Sequence, residues 1–342
     1  MASASHDERP LILGVPPRGL ARKQAEELAA LLGRRRARHP IHLEIVDELG
    51  HDAALHDDHI AENRSEIRRL HRLVREGELD VVIHRGFDLR GDVPEDLRIL
   101  AVLPRGKPYE VLVSPHGATL DLLEDDECLG VVHLRTRAQV LDYRPELETD
   151  LIQGDAGDWL TAMIDGRVQA LIAPGAAIEQ LGLQAQVSEI FPEEMIVPGP
   201  GSGVLLCLGR ADDALTAERL RRLHDRRAAL EYTAECSLME ALDGPWERPI
   251  GALACCEDDR LTVCAVVAAP DGSTILRERH VTAPDDPCRA GEEIAALLLS
   301  RDADSILEGP AFGDDDPDDA PDWESIAGLI PPVDADYETD DD

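Results

Sequence analysis

Short apolar runs alternate along the chain with stretches whose apolar residues recur at helical spacing, the pattern of strands alternating with helices. Leu11–Val15, His42–Val46, Asp80–His84 and Leu97–Leu103 read as strands. Between them, Leu20, Ala21, Ala25, Leu28, Leu31 and Leu32 form one helix face, and Ile67, Leu70, Leu73 and Val74 form another. Beyond Pro104–Pro108 a second unit of like design begins. It holds strands at Gly130–His133, Leu151–Gln153 and Ala170–Ala173, with one helix from Arg135 and one through Trp159 and Met163. A glycine-rich turn at Gly199–Gly203 then returns the chain to the first unit as the strand Val204–Leu208. One long helix is expected from Ala214 to about Leu242, leading into a compact βββα segment.

Periodicity alone thus gives an α/β chain of more than one domain, and its length of 342 residues allows two or three. Aromatic residues are only 3% of the chain, so Leu, Ile, Val and Ala must fill the cores. The segment 310–342 carries 13 acidic residues and no Lys or Arg. It reads as a solvating tail without fixed structure.

Charge sharpens the picture. Asp and Glu number 70 against 34 Lys and Arg, a formal charge of −36, and Lys23 and Lys107 are the only lysines. Self-repulsion on this scale opposes compactness unless salt screens it, and at about 1 M salt the Debye length is roughly 3 Å. The acid is spread along the whole chain, which points to a salt-adapted surface rather than to an interaction tail. Nucleic acid and anionic membranes are excluded as partners, because both need clustered cations. No apolar run is long enough to span a bilayer, and MASASHDERP lacks a signal-peptide core, so a cytoplasmic protein is expected. Seven cysteines without zinc or CxxC spacing argue against a disulfide framework and against a metal site.

Several motifs carry a resemblance. From Thr233 the chain reads TAECSLMEALDGPWERPIG, and from Ala269 it reads APDGSTILRE. Together they resemble the third domain of the porphobilinogen deaminase (hydroxymethylbilane synthase) family. Upstream, DVVIHRGFD resembles the family's DIAVHSxKD, keeping Asp80, His84 and Asp88 and replacing its lysine by Phe87. The family's TRxSxLAxxQ retains Leu20, Ala21 and Gln24, with Val15, Pro16 and Arg18 at its threonine, arginine and serine. GTSSLRR is matched by Gly130–Thr136, which keeps one arginine as Arg135, and RGNxxTR is matched by Gln153–Trp159, which keeps neither.

The resemblance implies two doubly wound, periplasmic-binding-protein-like domains joined by two crossovers, plus a small C-terminal α+β domain. The implied boundaries are 10–104 with 202–224 for the first domain, 105–201 for the second and 225–309 for the third. It implies Asp88 as the catalytic carboxylate beside pyrrole nitrogens, and Arg135 with Arg18 as groups binding substrate carboxylates. The family joins four porphobilinogen molecules head to tail, with loss of ammonia, on a dipyrromethane held by a cysteine shortly before Pro-Ile-Gly. That position is Trp246 here, and an indole offers no thiolate for a thioether. No bound cofactor is therefore expected.

The other candidates have plainer alternatives. Arg135 could bind an anion or pair with a neighbouring carboxylate. Asp88 could act on a ligand or cap a turn. His84 and His133 read as structural histidines, and Trp159 with Trp246 as residues filling a vacated cleft. Three functions stay open: a binding or regulatory homologue with little or no synthase activity, a divergent working synthase, and a two-lobed binder of another small ligand. The expected ligand is a small anionic pyrrole or another small molecule.

Overall fold

The structure is a computed structural model describing residues 10–15, 41–45, 59–86, 89, 93–154, 156–242 and 248–307. The sequence-predicted helix at Leu20–Leu32, the acidic tail, and the candidate residues Arg18, Asp88 and Trp246 lie outside the described residues.

The first sheet holds five strands: β1 (Leu11–Val15), β2 (Ile41–Ile45), β3 (Val81–Arg85), β4 (Leu97–Val102) and, much later in the chain, β10 (Leu205–Arg210). Their order is β2-β1-β3-β10-β4, with β1, β2 and β3 parallel and β10 antiparallel to both neighbours. Strand β3 is buried at its first four residues, as an apolar run covered on both faces should be. Helix α1 (His59–Glu76) covers one side through Leu70 and Val74.

The second sheet repeats the plan with β5 (Glu110–Val113), β6 (Cys128–Val131), β7 (Glu148–Leu151), β8 (Ala170–Pro174) and β9 (Val187–Ile190), in the order β7-β6-β8-β5-β9. Three helices, α2 (Leu134–Tyr143), α3 (Ala156–Ile164) and α4 (Gly175–Gln180), connect or flank its strands. The two stretches joining the sheets run side by side, since the Gly106 amide donates to the Gly203 carbonyl at 2.8 Å. Gly203 has φ +76°, and a Cβ there would lie 2.8 Å from the Gly106 carbonyl oxygen, so only glycine permits this approach.

The long helix expected over 214–242 is two helices, α5 (Ala214–Arg221) and α6 (Arg226–Leu242). His224 Nδ1 accepts from the Val102 amide at 3.2 Å, and the Asp225 amide donates to the Val102 carbonyl at 2.7 Å. The Asp225 carboxylate then accepts from the Ala228 amide at 2.8 Å, capping a fresh helix. Tertiary bonds to the end of β4 thus break what periodicity alone would continue.

The third sheet is antiparallel, in the order β11 (Ile250–Glu257), β12 (Arg260–Ala268), β13 (Ile275–Thr282), and is followed by α7 (Pro287–Leu299) and α8 (Ala303–Leu307). Helix α6 is buried nearly all round, because α1, the first sheet, β11 and α7 share one apolar core with it. The glycine of Pro249-Ile250-Gly251 has a packing reason: a Cβ at Gly251 would come within 2.6 Å of the Val197 carbonyl oxygen and 2.7 Å of Val266 Cγ1. The motif therefore marks where the third sheet docks against the chain leaving the second.

Candidate functional site

Strand β6 ends at Val131, and two residues later His133 takes the N-cap position of α2 in extended conformation (φ −143°, ψ 142°). The next turn carries Arg135 and Thr136, both buried. Glu110, the first residue of β5, lies opposite Pro174 in antiparallel register, at the carboxyl edge of the parallel strands β6 and β8. Ligands of open α/β sheets gather at such an edge. Here the edge brings Arg135 and Glu110 together.

Nη2 of Arg135 stands 3.6 Å from Oε1 of Glu110, with side-chain exposures of 5% and 0%. His133 Nδ1 is 4.0 Å from the same oxygen. Burial pushes the Glu110 carboxyl up from its ordinary pKa, against the pull of Arg135 and Thr136. The crossover backbone closes over this pair: a Cβ at Gly199 would fall 2.5 Å from Arg135 Cζ. The guanidinium that the sequence offers to a ligand is thus turned onto an internal carboxylate. Gln153 is exposed, whereas Trp159 packs in the core of the second sheet with Ile152, Ala156, Val168 and Ile178.

A second cluster ties both crossovers to the third sheet. Arg105 donates from Nε to the Ser202 carbonyl at 2.9 Å, and from Nη1 to Glu235 at 2.7 Å and the Ala254 carbonyl at 3.2 Å. Its Nη1 lies 3.5 Å from Glu231. Glu235 accepts from the Gly201 amide at 2.7 Å and the Ala254 amide at 2.8 Å, and Glu231 from the Cys256 amide at 2.9 Å. Burial works against the charge on Arg105, but Glu235 and Glu231 outweigh it and hold the guanidinium above its ordinary pKa. Sequence reasoning missed this group and Glu110. The signal for it was present: Glu231 and Glu235 stand four apart, one helical turn, among the apolar residues Ala228, Ala229, Leu230, Ala234 and Leu238.

His84, at the end of β3, meets His71 of α1 with Nε2 atoms 3.0 Å apart, and both rings are buried. Burial, then His71, pushes His84 down to about 3. Among the described residues no group of three or more His, Cys, Asp or Glu side chains could hold a metal ion. No described helix is long and apolar enough to cross a membrane.

The thiols divide by depth. Cys207, Cys236, Cys256 and Cys264 are buried, and Cys128, Cys255 and Cys288 are partly exposed. Burial raises the thiols of Cys236 and Cys207, the latter to about 12. Cys255 Sγ is 3.6 Å from Arg227 Nη2, yet burial and Glu231 still leave its pKa above the usual value.

Comparison with known proteins matches residues 12–218 to the porphobilinogen deaminase family's dipyromethane cofactor binding domain, and residues 229–300 to its C-terminal domain. The chain is 35% identical over 240 residues to a porphobilinogen deaminase of Desulforudis audaxviator, covering 70% of this chain and 78% of that one. It is 29% identical over 242 residues to that of Brevibacillus brevis, covering 70% and 78%. Among solved structures, an ABC transporter from Parabacteroides distasonis has a TM-score of 0.37 at 11% identity, covering 67% of this chain and 73% of that one. A variant of the OxyR2 regulatory domain from Vibrio vulnificus has a TM-score of 0.36 at 17% identity, covering 65% and 99%.

These matches correct one expectation. The absence of any cofactor was inferred from Trp246, but most of the chain matches the domain that binds dipyrromethane in this family. A thioether anchor needs an accessible, ionisable thiol. The nearest described cysteines to Pro249-Ile250-Gly251 in the sequence are Cys236, Cys255 and Cys256, and their thiols are buried or have raised pKa values. Residues 12–218 thus match the domain on which this family carries its dipyrromethane.

Proposed function

Because the chain belongs to the porphobilinogen deaminase family, we propose that it is a cytoplasmic, salt-adapted pyrrole-binding homologue of tetrapyrrole biosynthesis with little or no synthase activity. The ligand is porphobilinogen or a short linear pyrrole, whose acetate and propionate arms would be met by the remaining cations at the carboxyl edges of the sheets. The observation that carries this reading is the engagement of Arg135 with buried Glu110. Head-to-tail condensation gathers many carboxylates in one cleft, which calls for several guanidinium forks. Gln153, Trp159 and Thr136 stand where the family has further arginines, and Thr136 and Trp159 are buried. Losing one preorganised charge commonly costs about 10²–10³ in rate, so several losses together suppress turnover.

A second reading, a divergent working synthase, is favoured by the match of residues 12–218 to the cofactor-binding domain. One experiment separates the two. The full chain, purified at high salt, is incubated with porphobilinogen, and substrate consumption, intact mass and thermal midpoint are followed together. A raised midpoint with no mass adduct and no consumption supports the binding homologue. Consumption accompanied by a dipyrromethane mass adduct supports the synthase and overturns the first reading.

A further inference from the structure

The Arg135–Glu110 contact is poorly made for a buried ion pair. At 3.6 Å it lies beyond a good charge-assisted hydrogen bond, and neither Glu110 carboxylate oxygen has a hydrogen bond of acceptable geometry. A buried carboxylate ordinarily repays its desolvation through several short donors. Glu235 in the same molecule does so, with two backbone amides and a guanidinium all within 2.8 Å. Glu110 has instead the long approach of Arg135, His133 at 4.0 Å and the Thr136 side chain beside it. A ligand carboxylate could offer the guanidinium two in-plane acceptors, which Glu110, fixed at the start of β5, does not.

We propose that Glu110 is an internal counter-ion that keeps Arg135 from outside carboxylates, so that a carboxylate ligand binds by taking Arg135 away from it. Glu110 is then a positioning residue acting through Arg135. It makes affinity depend on displacing an internal contact as well as on forming an external one. The groups facing Glu110 are His133, Arg135 and Thr136, all from the start of α2, so the exchange is confined to one helix turn. The identity of the carboxylate rests on the pyrrole-binding reading. The counter-ion role itself does not.

The test uses the full chain, wild type and Glu110→Gln, with two readouts at one ionic strength. Labelling by phenylglyoxal, mapped by peptide mass spectrometry, reports access to Arg135 without any ligand. Calorimetric titration with porphobilinogen reports affinity. Glu110→Gln is expected to raise labelling at Arg135 and to tighten porphobilinogen by about tenfold, the scale of a typical coupling between sites. The gain in affinity should vanish in the Glu110→Gln/Arg135→Gln double variant. Should Glu110→Gln fail to fold, Glu110→Asp withdraws the carboxylate by one methylene and should raise labelling to a smaller extent. Folded variants with unchanged Arg135 labelling would overturn the proposal. Increased labelling with no porphobilinogen binding in any variant would support the counter-ion and sink the pyrrole-binding reading instead.

Discussion

Arg105 and Glu235 meet at 2.7 Å with side-chain exposures of 8% and 0%, and through them one crossover stretch is joined to the helix that carries the third sheet. Removing one member of such a buried pair leaves the other charged and uncompensated, at a cost of about 3–5 kcal/mol. Arg105→Met should therefore lower unfolding stability by that amount. Arg105→Met/Glu235→Gln should recover part of it, since glutamine still accepts from a backbone amide. Denaturant unfolding of the two single variants and the double variant measures the coupling, and additive effects would show that the pair is not the link.

The buried histidine pair gives the fold an acid limit. His84 is held at about 3, below its ordinary 6.5, so the stability it contributes is present above pH 6.5 and is lost as pH falls toward 3. Each pH unit within that window should cost about 1 kcal/mol. His84→Gln removes the titrating group, and its stability should decline less steeply between pH 6 and pH 4, as read by denaturant midpoints. Parallel declines would assign acid sensitivity to other groups.

Gly251 is predicted to be intolerant of a side chain. The methyl of Gly251→Ala meets a carbonyl oxygen and a valine, neither at the far end of a flexible side chain. Overpacking of this kind costs about 1–3 kcal/mol. Calorimetry on the variant should show a lower melting temperature, and an unchanged one would mean that the two segments separate without penalty.

Thiol labelling tests the burial pattern directly. Iodoacetamide on the folded chain should modify only Cys128, Cys255 and Cys288, with Cys207, Cys236, Cys256 and Cys264 reacting after denaturation. Modification of native Cys236 would contradict its placement inside α6.

The strand–helix alternation was legible because β3, β4, β8 and β10 each hold a short run of apolar residues, and the third sheet because its motifs resemble a known domain. Strands β5 and β9 were not predicted: they are four residues each, and Glu110 and the pattern VSEI blunt their apolar signal. The break between α5 and α6 was hidden because bonds to Val102, more than a hundred residues away in sequence, create it. At the site, the sequence identified Arg135 but not its partner. Nothing local links Glu110 to Arg135, and only the antiparallel register of β5 against β8 brings them to one edge.

The position of β10 also governs the order in which the chain can fold. It lies between β3 and β4, so the centre of the first sheet stays open until about residue 210 has been made. The strands of the second sheet all lie within the intervening stretch and can pair before that closure. During synthesis the first sheet thus waits with two unpaired strand edges, and distant pairings of this kind are slow to form and exposed to aggregation.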